Sequence, residues 1–310
     1  MQQTERIVAE ICKSFIGNVP VVRKILLVML AGGHVLLEDI PGVGKTTLAL
    51  ALSNALALKH NRVQFTPDVM PTDITGFSMP RGGQLVYQPG AALCNLLLAD
   101  ELNRAPSRTQ AALLECMEEQ QVTVDGATHP LPQPFMVIAT QNPSGSAGTQ
   151  LLPESQMDRF MMRLSIGYPA LEGELEMLRR KHGEAGSEAV QPVASAADLI
   201  AMREAASRVY LADELYQYIL SLTRATREHT DIRQGVSPRG SVAVMALAQA
   251  AALMNGRDYT LPGDVKAVFV DATAHRLLLG PGVRSQTNAA QALLSGILDK
   301  VPAPTVRKRQ

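Results

Sequence analysis

The chain has 310 residues, 46% of them hydrophobic, enough to bury the core of one large domain or of two moderate ones. Lysine plus arginine equals aspartate plus glutamate at 29 each, so overall charge gives no reason to expect nucleic acid or an anionic membrane as partner. Cys12, Cys94 and Cys116 lack C-x-x-C spacing and read as buried thiols of a reducing compartment. With no basic-then-apolar leader and no apolar run reaching about 18 residues, a cytoplasmic protein without membrane insertion is expected.

In chain order, the segment from Thr4 to Ala31 has helical periodicity, interrupted near Gly17 and Pro20. Short β-type runs then alternate with helical ones. "HVLLE", "NRVQF", "CNLLLAD", "FMVIATQN" and "RLSIGY" read as strands, and "TTLALALSNALALK" and "SRTQAALLECMEE" as helices. The alternation predicts an α/β layer with a mainly parallel sheet, and the unbroken apolar strands predict helices on both of its faces. Within this layer "QQVTVDGATHPLPQPFMV" reads as a hairpin turning at Asp125-Gly126, its return strand confined to an edge by Pro130, Pro132 and Pro134. "TPDVMPTDITGF" and "SMPRGGQLVYQPG", between residues 66 and 90, read as partner-facing loops. Beyond Tyr168-Pro169 only helical periodicity remains. The expected organisation is an α/β core over residues 1–170, a helix and linker over 171–196, and a smaller all-helical domain over 197–310 with a frayed tail.

The stretch "LLEDIPGVGKTTLALAL" places a glycine-rich loop between a strand and a helix. Pro41, Gly42, Val43 and Gly44 form the loop, and its two glycines let backbone N–H groups turn inward toward a polyphosphate at the helix N-terminus. Lys45 would reach the β- and γ-phosphates of ATP, Thr46 would ligate Mg²⁺, and Thr47 continues the helix beside them. The strict pattern G-x-x-x-x-G-K-[ST] would have glycine where Asp39 stands. Asp39 tolerates unusual dihedral angles better than most residues, and its carboxylate must point away from the phosphates. Two anions about 4 Å apart in a poorly solvated cleft repel by roughly 4 kcal/mol. The plainer alternative is a glycine-rich turn carrying a surface lysine.

"NLLLADEL" is an apolar strand ending in Asp100 and Glu101. At the carboxyl end of a strand both side chains can line the crevice where α/β sheets bind ligands, with Asp100 holding Mg²⁺ through water and Glu101 polarising the attacking water. The alternative, two acids capping a turn, leaves a buried strand ending in uncompensated charge. "FMVIATQN" ends in Asn142, whose amide can meet both the γ-phosphate and that water.

Taken together, "LLEDIPGVGKTTLA", "QFTPDVMPTDITG", "LLLADELNRAPSRTQAALLECMEEQQVTVDG", "FMVIATQNP", "LLPESQMDRFMMRL" and "VSPRGS" resemble the MoxR-type AAA+ ATPases over about residues 16–276. The resemblance implies a P-loop NTPase core followed by a helical lid. In it Lys45 and Thr46 are Walker A, Asp100 and Glu101 Walker B, and Asn142 sensor 1. It further implies that Arg159 is the arginine finger entering a neighbour's site, with Arg163 as competitor. Arg239 would be sensor 2, and Ile16-Gly17 would cup adenine. Ser237-Pro238 caps a helix, so Arg239 lies in its first turn and could swing with the lid toward the γ-phosphate. The hairpin over 121–135 resembles the helix-2 insert of this branch.

The function so implied is an ATP-hydrolysing, chaperone-like remodelling factor working as a homo-oligomer, a hexameric ring. It would mature a client protein or complex, cofactor or metal insertion being one such task, with a von Willebrand factor A domain protein as partner. The alternatives are a nucleotide-dependent binding switch that barely hydrolyses ATP, the motor subunit of a magnesium-chelatase-like complex or a DNA-acting relative, and a small-molecule kinase. Neutral charge and the lack of a basic-aromatic strip argue against nucleic acid.

Overall fold

The computed structural model describes residues 2–40, 42–141, 152–182, 189–283 and 288–305. Pro41, Asn142 and the last five residues of the tail lie outside them. The chain opens with α1 (Gln2–Ser14) and α2 (Val19–Leu30). Pro20 sits in the first turn of α2, where its missing N–H does no harm, and from Ile25 to Leu30 the helix is buried all round.

The α/β half then runs β1 (Val35–Glu38), α3 (Lys45–Ala55), β2 (His60–Gln64), α4 (Pro71–Thr75), β3 (Gly76–Arg81), β4 (Gln84–Pro89) and β5 (Leu96–Asp100). It continues through a 3-10 turn at Leu102–Arg104 into α5 (Ser107–Glu119), β6 (Gln121–Val124), β7 (Ala127–Pro130), β8 (Met136–Gln141), α6 (Glu154–Met157) and β9 (Met162–Leu164). Five strands form one sheet in the order β2-β5-β8-β1-β9, every neighbouring pair parallel. Alternate residues divide between its faces. Val35, Leu37, Leu98, Ile138 and Leu164 pack with Ile7, Ile25 and Leu52, whereas Leu36, Leu97, Ala99 and Val137 pack with Leu113, Met117 and Phe160. Burial on both faces is why these strands read as unbroken apolar runs. Because the strands are parallel, Glu38, Asp100 and Gln141 share one edge of the sheet, and Val35, Leu96, Met136 and Met162 share the other.

Two antiparallel ribbons leave this layer. One is β6–β7, whose turn residues Asp125 and Gly126 both have left-handed backbone, φ 49° and 79°. The other is β3–β4, which with α4 replaces the loops expected between residues 66 and 90. Phe77, Met79 and Leu85 stay exposed there, so no buried face imprinted an alternation on the sequence. The ribbons touch through Tyr87 and His129, whose rings stack with centroids 3.8 Å apart.

The remaining chain holds α7 (Leu171–His182), α8 (Ala196–Ser207), α9 (Asp213–Glu228), β10 (Ile232–Gln234), α10 (Pro238–Met254), α11 (Pro262–Thr273), β11 (Leu278–Leu279) and α12 (Ala289–Lys300). It is a helical lid with one departure from the all-helical expectation: β10 and β11 pair antiparallel. Strands of two or three residues are too short to register against helical periodicity. Among the described residues no helix is long and apolar enough to cross a membrane.

Candidate nucleotide site

β1 delivers the glycine-rich loop to the carboxyl edge of the sheet. Gly42 and Gly44 both have φ 88°, a left-handed conformation that a side chain at these positions would strain. Gly44 is the N-cap of α3 and supplies no side-chain cap, so the first-turn amides of that helix remain available to an anion. Lys45 is 9% exposed and its Nζ donates to the Asp39 carbonyl at 2.8 Å. Burial pushes its pKa below the usual lysine value, and the carboxylates of Asp39, Asp100 and Glu101 pull it back up. Lys45 therefore lies within electrostatic reach of both acids that end β5. Thr46 and Thr47 follow it in the first turn of α3.

Asp39 does not occupy left-handed backbone, unlike Ala57, Glu101, Gln120, Asp125 and Asn288 among the described residues. The glycine of the strict pattern has no conformational job here, and the tolerance invoked for Asp39 is not needed. Its carboxylate turns away from the loop toward the end of β9. There it accepts from the amide of Ile166, the amide of Gly167 at 3.1 Å and the hydroxyl of Ser165 at 3.2 Å.

Asp100 ends β5, and Glu101 follows it in left-handed backbone, φ 56° and ψ 46°, a conformation that costs a non-glycine residue about 1–3 kcal/mol. The turn breaks the period-two alternation, which is how two consecutive acids come to the same crevice. Thr140 on the adjacent β8 joins them. Its hydroxyl donates to Asp100 Oδ1 at 2.6 Å and accepts from the Glu101 amide at 2.9 Å. Arg62 of β2 reaches the other oxygen of Asp100 at 2.8 Å, and Arg104 holds Glu101 at 2.7 Å. Sequence reasoning missed Thr140, Arg62 and Arg104. The register of β5 against β8 would have pointed to Thr140, whereas the β2 residue in register with Asp100 is Gln64, and Arg62 reaches back to the acid from two residues earlier.

Beside the loop lies a cleft of about 330 Å³ lined by Phe15, Ile16, Val43, Gly44, Met177 and Lys181, among others. Ile16 faces this space, whereas Gly17 is outside its lining. Its walls are apolar with a basic rim, the composition that a nucleoside next to a phosphate site requires.

The model of the ATPase family associated with various cellular activities (AAA) matches residues 34–162, and that of the AAA lid domain matches residues 224–296. The chain is 37% identical to Chaperone MoxR1 of Mycobacterium tuberculosis over 97% of its own length and 82% of that protein's. It is 30% identical to Protein MoxR of Paracoccus denitrificans over 93% of both chains. The chain belongs to the MoxR-type AAA+ ATPases. An uncharacterised Bacillus subtilis protein, YeaC, is 42% identical over 91% of this chain and 89% of its own. A crystal structure of a Cytophaga hutchinsonii protein superposes with a TM-score of 0.91 at 36% identity, covering 98% of this chain and 96% of that one.

The arginines singled out by the MoxR resemblance lie elsewhere. Arg159 lies three residues before the start of β9, and the amide of Met161 donates to the carbonyl of His34, just before β1, at 2.8 Å. Arg159 is thus at the amino edge of the sheet, opposite the glycine-rich loop. Arg239, in the first turn of α10, joins it there. The two share the carboxylate of Glu118 near the end of α5, Arg159 at 3.4 Å on one oxygen and Arg239 on the other. Arg239 does not face its own chain's phosphate loop, contrary to the expectation of a swing toward it, because α5 runs back along the sheet and carries its partner to the far edge. Arg163 lies within β9 and pairs with Glu38 at 3.1 Å. His34 anchors this end: Nδ1 accepts from the Val137 amide at 3.0 Å and Nε2 donates to the Met117 carbonyl at 3.1 Å.

Proposed function

We propose that the chain is an ATP-hydrolysing remodelling factor whose reaction sites form between neighbouring copies in a ring, six being the number we favour. The observation that carries this reading is the separation of the two halves of the site. Lys45, Asp100 and Glu101 stand at the carboxyl edge of a parallel sheet, and Arg159 with Arg239 stands at the amino edge. Roughly 13 Å of β1 lies between those edges, at about 3.3 Å per residue over its four residues. Two guanidiniums on one carboxylate leave a net positive patch facing outward, suited to a triphosphate presented by the next copy.

In this reading Gly42, Gly44 and the start of α3 cradle the phosphates, Pro41 and Val43 shape the loop, and Lys45 meets the β- and γ-phosphates. The cleft beside Phe15 and Ile16 takes the base. Thr46 and Asp100 would hold Mg²⁺, which supplies charge neutralisation at the phosphate oxygens. The donor set fits, since Asp100 presents a partly exposed carboxylate oriented by Thr140 within electrostatic reach of Lys45. Glu101 polarises the attacking water once Arg104 releases it, and Asn142 senses the γ-phosphate. Arg159 and Arg239 of the neighbour stabilise charge in the transition state, a contribution worth about 10³–10⁵ in rate for arginine fingers. Arg163, tied to Glu38 inside the sheet, is the weaker candidate for the finger.

The biological task follows the MoxR relatives: chaperone-like maturation of a client protein or complex, with cofactor or metal insertion as one form and a von Willebrand factor A domain protein as partner. Two experiments test the chemistry. Glu101→Gln is expected to retain ATP and abolish turnover, and negligible turnover before mutation would favour a pure binding switch. Mixing Arg159→Ala with Lys45→Ala chains is expected to restore turnover, because each supplies what the other lacks. No recovery at any ratio refutes the shared site.

A further inference from the structure

Arg276 lies in the 3-10 turn Ala274–Arg276 that follows α11, in the lid, and is only 8% exposed. Its guanidinium crosses to the α/β half. There it donates to the carbonyl of Asp158 at 2.9 Å and the carbonyl of Phe160 at 2.8 Å, and it pairs with the Asp158 carboxylate. Its Nε donates to the carbonyl of Ala272 at 2.8 Å, which fixes the plane of the fork. The neighbouring His275 supports the same backbone, its Nε2 donating to the Phe160 carbonyl at 2.9 Å. The two carbonyls held by Arg276 are those on either side of Arg159.

The Asp158 carboxylate takes a second donor, the hydroxyl of Ser237, at 3.0 Å and 3.1 Å to its two oxygens. Ser237 is the N-cap of α10, its Oγ accepting from the Gly240 amide at 3.1 Å, and Arg239 sits inside that cap. Gly240 is required by close approach. A Cβ there would lie 2.5 Å from Val236 Cγ1 and 3.1 Å from Arg276 Cδ, displacing the stem of the guanidinium. One buried side chain of the lid thus grips the backbone around Arg159 and, through Asp158 and Ser237, the cap of the helix that presents Arg239.

We propose that Arg276 is a positioning residue that seats Arg159 and Arg239, which come from different halves of the chain, as one two-pronged unit for a neighbouring copy's triphosphate. The proposal rests on the shared-site reading above. The Glu118 carboxylate between them offsets the repulsion of these two like charges but does not hold the two backbones that carry them. A planar fork spanning two carbonyls and a carboxylate fixes their spacing in a way a lysine ammonium does not. Misplacement by about 1 Å is enough to cost about 100-fold in rate.

The test uses full-length Arg276→Lys, which keeps the charge and loses the fork. Alone, it is expected to turn over about 10- to 100-fold more slowly while its binding of a fluorescent ATP analogue matches the parent, and the lost fork should lower its melting temperature without preventing folding. Mixed with Lys45→Ala, it is expected to recover, because its intact phosphate loops then meet intact arginine faces. A general structural defect would persist in the mixture. Undiminished turnover of Arg276→Lys alone overturns the proposal, as does failure of its mixture to recover when the Arg159→Ala mixture does. Failure of both mixtures removes the shared site beneath it. Should Arg276→Lys not fold, Asp158→Asn serves in the same pair of assays, with the same outcomes deciding.

Discussion

Replacing Asp39 by glycine restores the strict phosphate-loop pattern, yet it should weaken the protein. The Asp39 side chain, 6% exposed, accepts from the amides of Ile166 and Gly167 and from the hydroxyl of Ser165. Each hydrogen bond to a charged acceptor contributes about 1.5–3 kcal/mol, and a buried amide left without a partner costs a similar amount. Losing both amide contacts should therefore lower unfolding free energy by roughly 3–6 kcal/mol, a large part of the 5–15 kcal/mol typical of a domain. All three donors converge on one oxygen, Oδ2, so Asp39→Asn can offer its amide oxygen in that place and should lose about half as much, through the missing charge alone. Urea unfolding of parent, Asp39→Gly and Asp39→Asn measures the difference directly, with the slope checked for constancy. Refutation would be an Asp39→Gly midpoint equal to the parent's, since that would mean the Ile166 and Gly167 amides find other partners at no cost.

Two further outcomes follow from the same geometry. Thr140→Val removes the hydroxyl that joins Asp100 to the Glu101 amide without changing side-chain shape. Turnover should fall about 10- to 100-fold, the equivalent of one hydrogen bond to a charged group, with nucleotide affinity nearly unchanged in equilibrium titration. His34 is wholly buried, and burial pushes its imidazole down to about 4 from an ordinary value of 6.5. Between those values the unfolded chain takes up a proton that the folded chain refuses. Stability should therefore drop as pH falls from about 6.5 toward 4, by up to about 3 kcal/mol from this group. His34→Gln should flatten that part of a denaturation-against-pH profile, and an unchanged slope would exclude His34 as its source.

What the sequence makes legible is local. The strands of the main sheet announce themselves as apolar runs because each is buried on both faces, and the glycine-rich loop and the two acids follow their strands within a few residues. What is hidden is whatever depends on pairing across the chain. Nothing near Asp39 discloses that its carboxylate serves Ile166 and Gly167, and nothing near Arg159 or Arg239 discloses Glu118 or Arg276. Thr140 lay within reach of inference. Once "LLLAD" and "IATQN" are taken as parallel neighbours, the pairing of Ala99 with Ala139 puts a hydroxyl beside Asp100. The β3–β4 ribbon carried a hairpin signal at Gly82-Gly83, but its exposed apolar residues looked like loop composition rather than a strand with a covered side.

The stacked rings of Tyr87 and His129 give the two projecting ribbons a common fate. The ribbon bearing His129 is joined through residues 131–135 to β8, the strand on which Thr140 bridges Asp100 and Glu101. Bending one tip away from the other parts the two rings and forfeits a contact worth about 0.5–1.5 kcal/mol, so the pair resists being splayed.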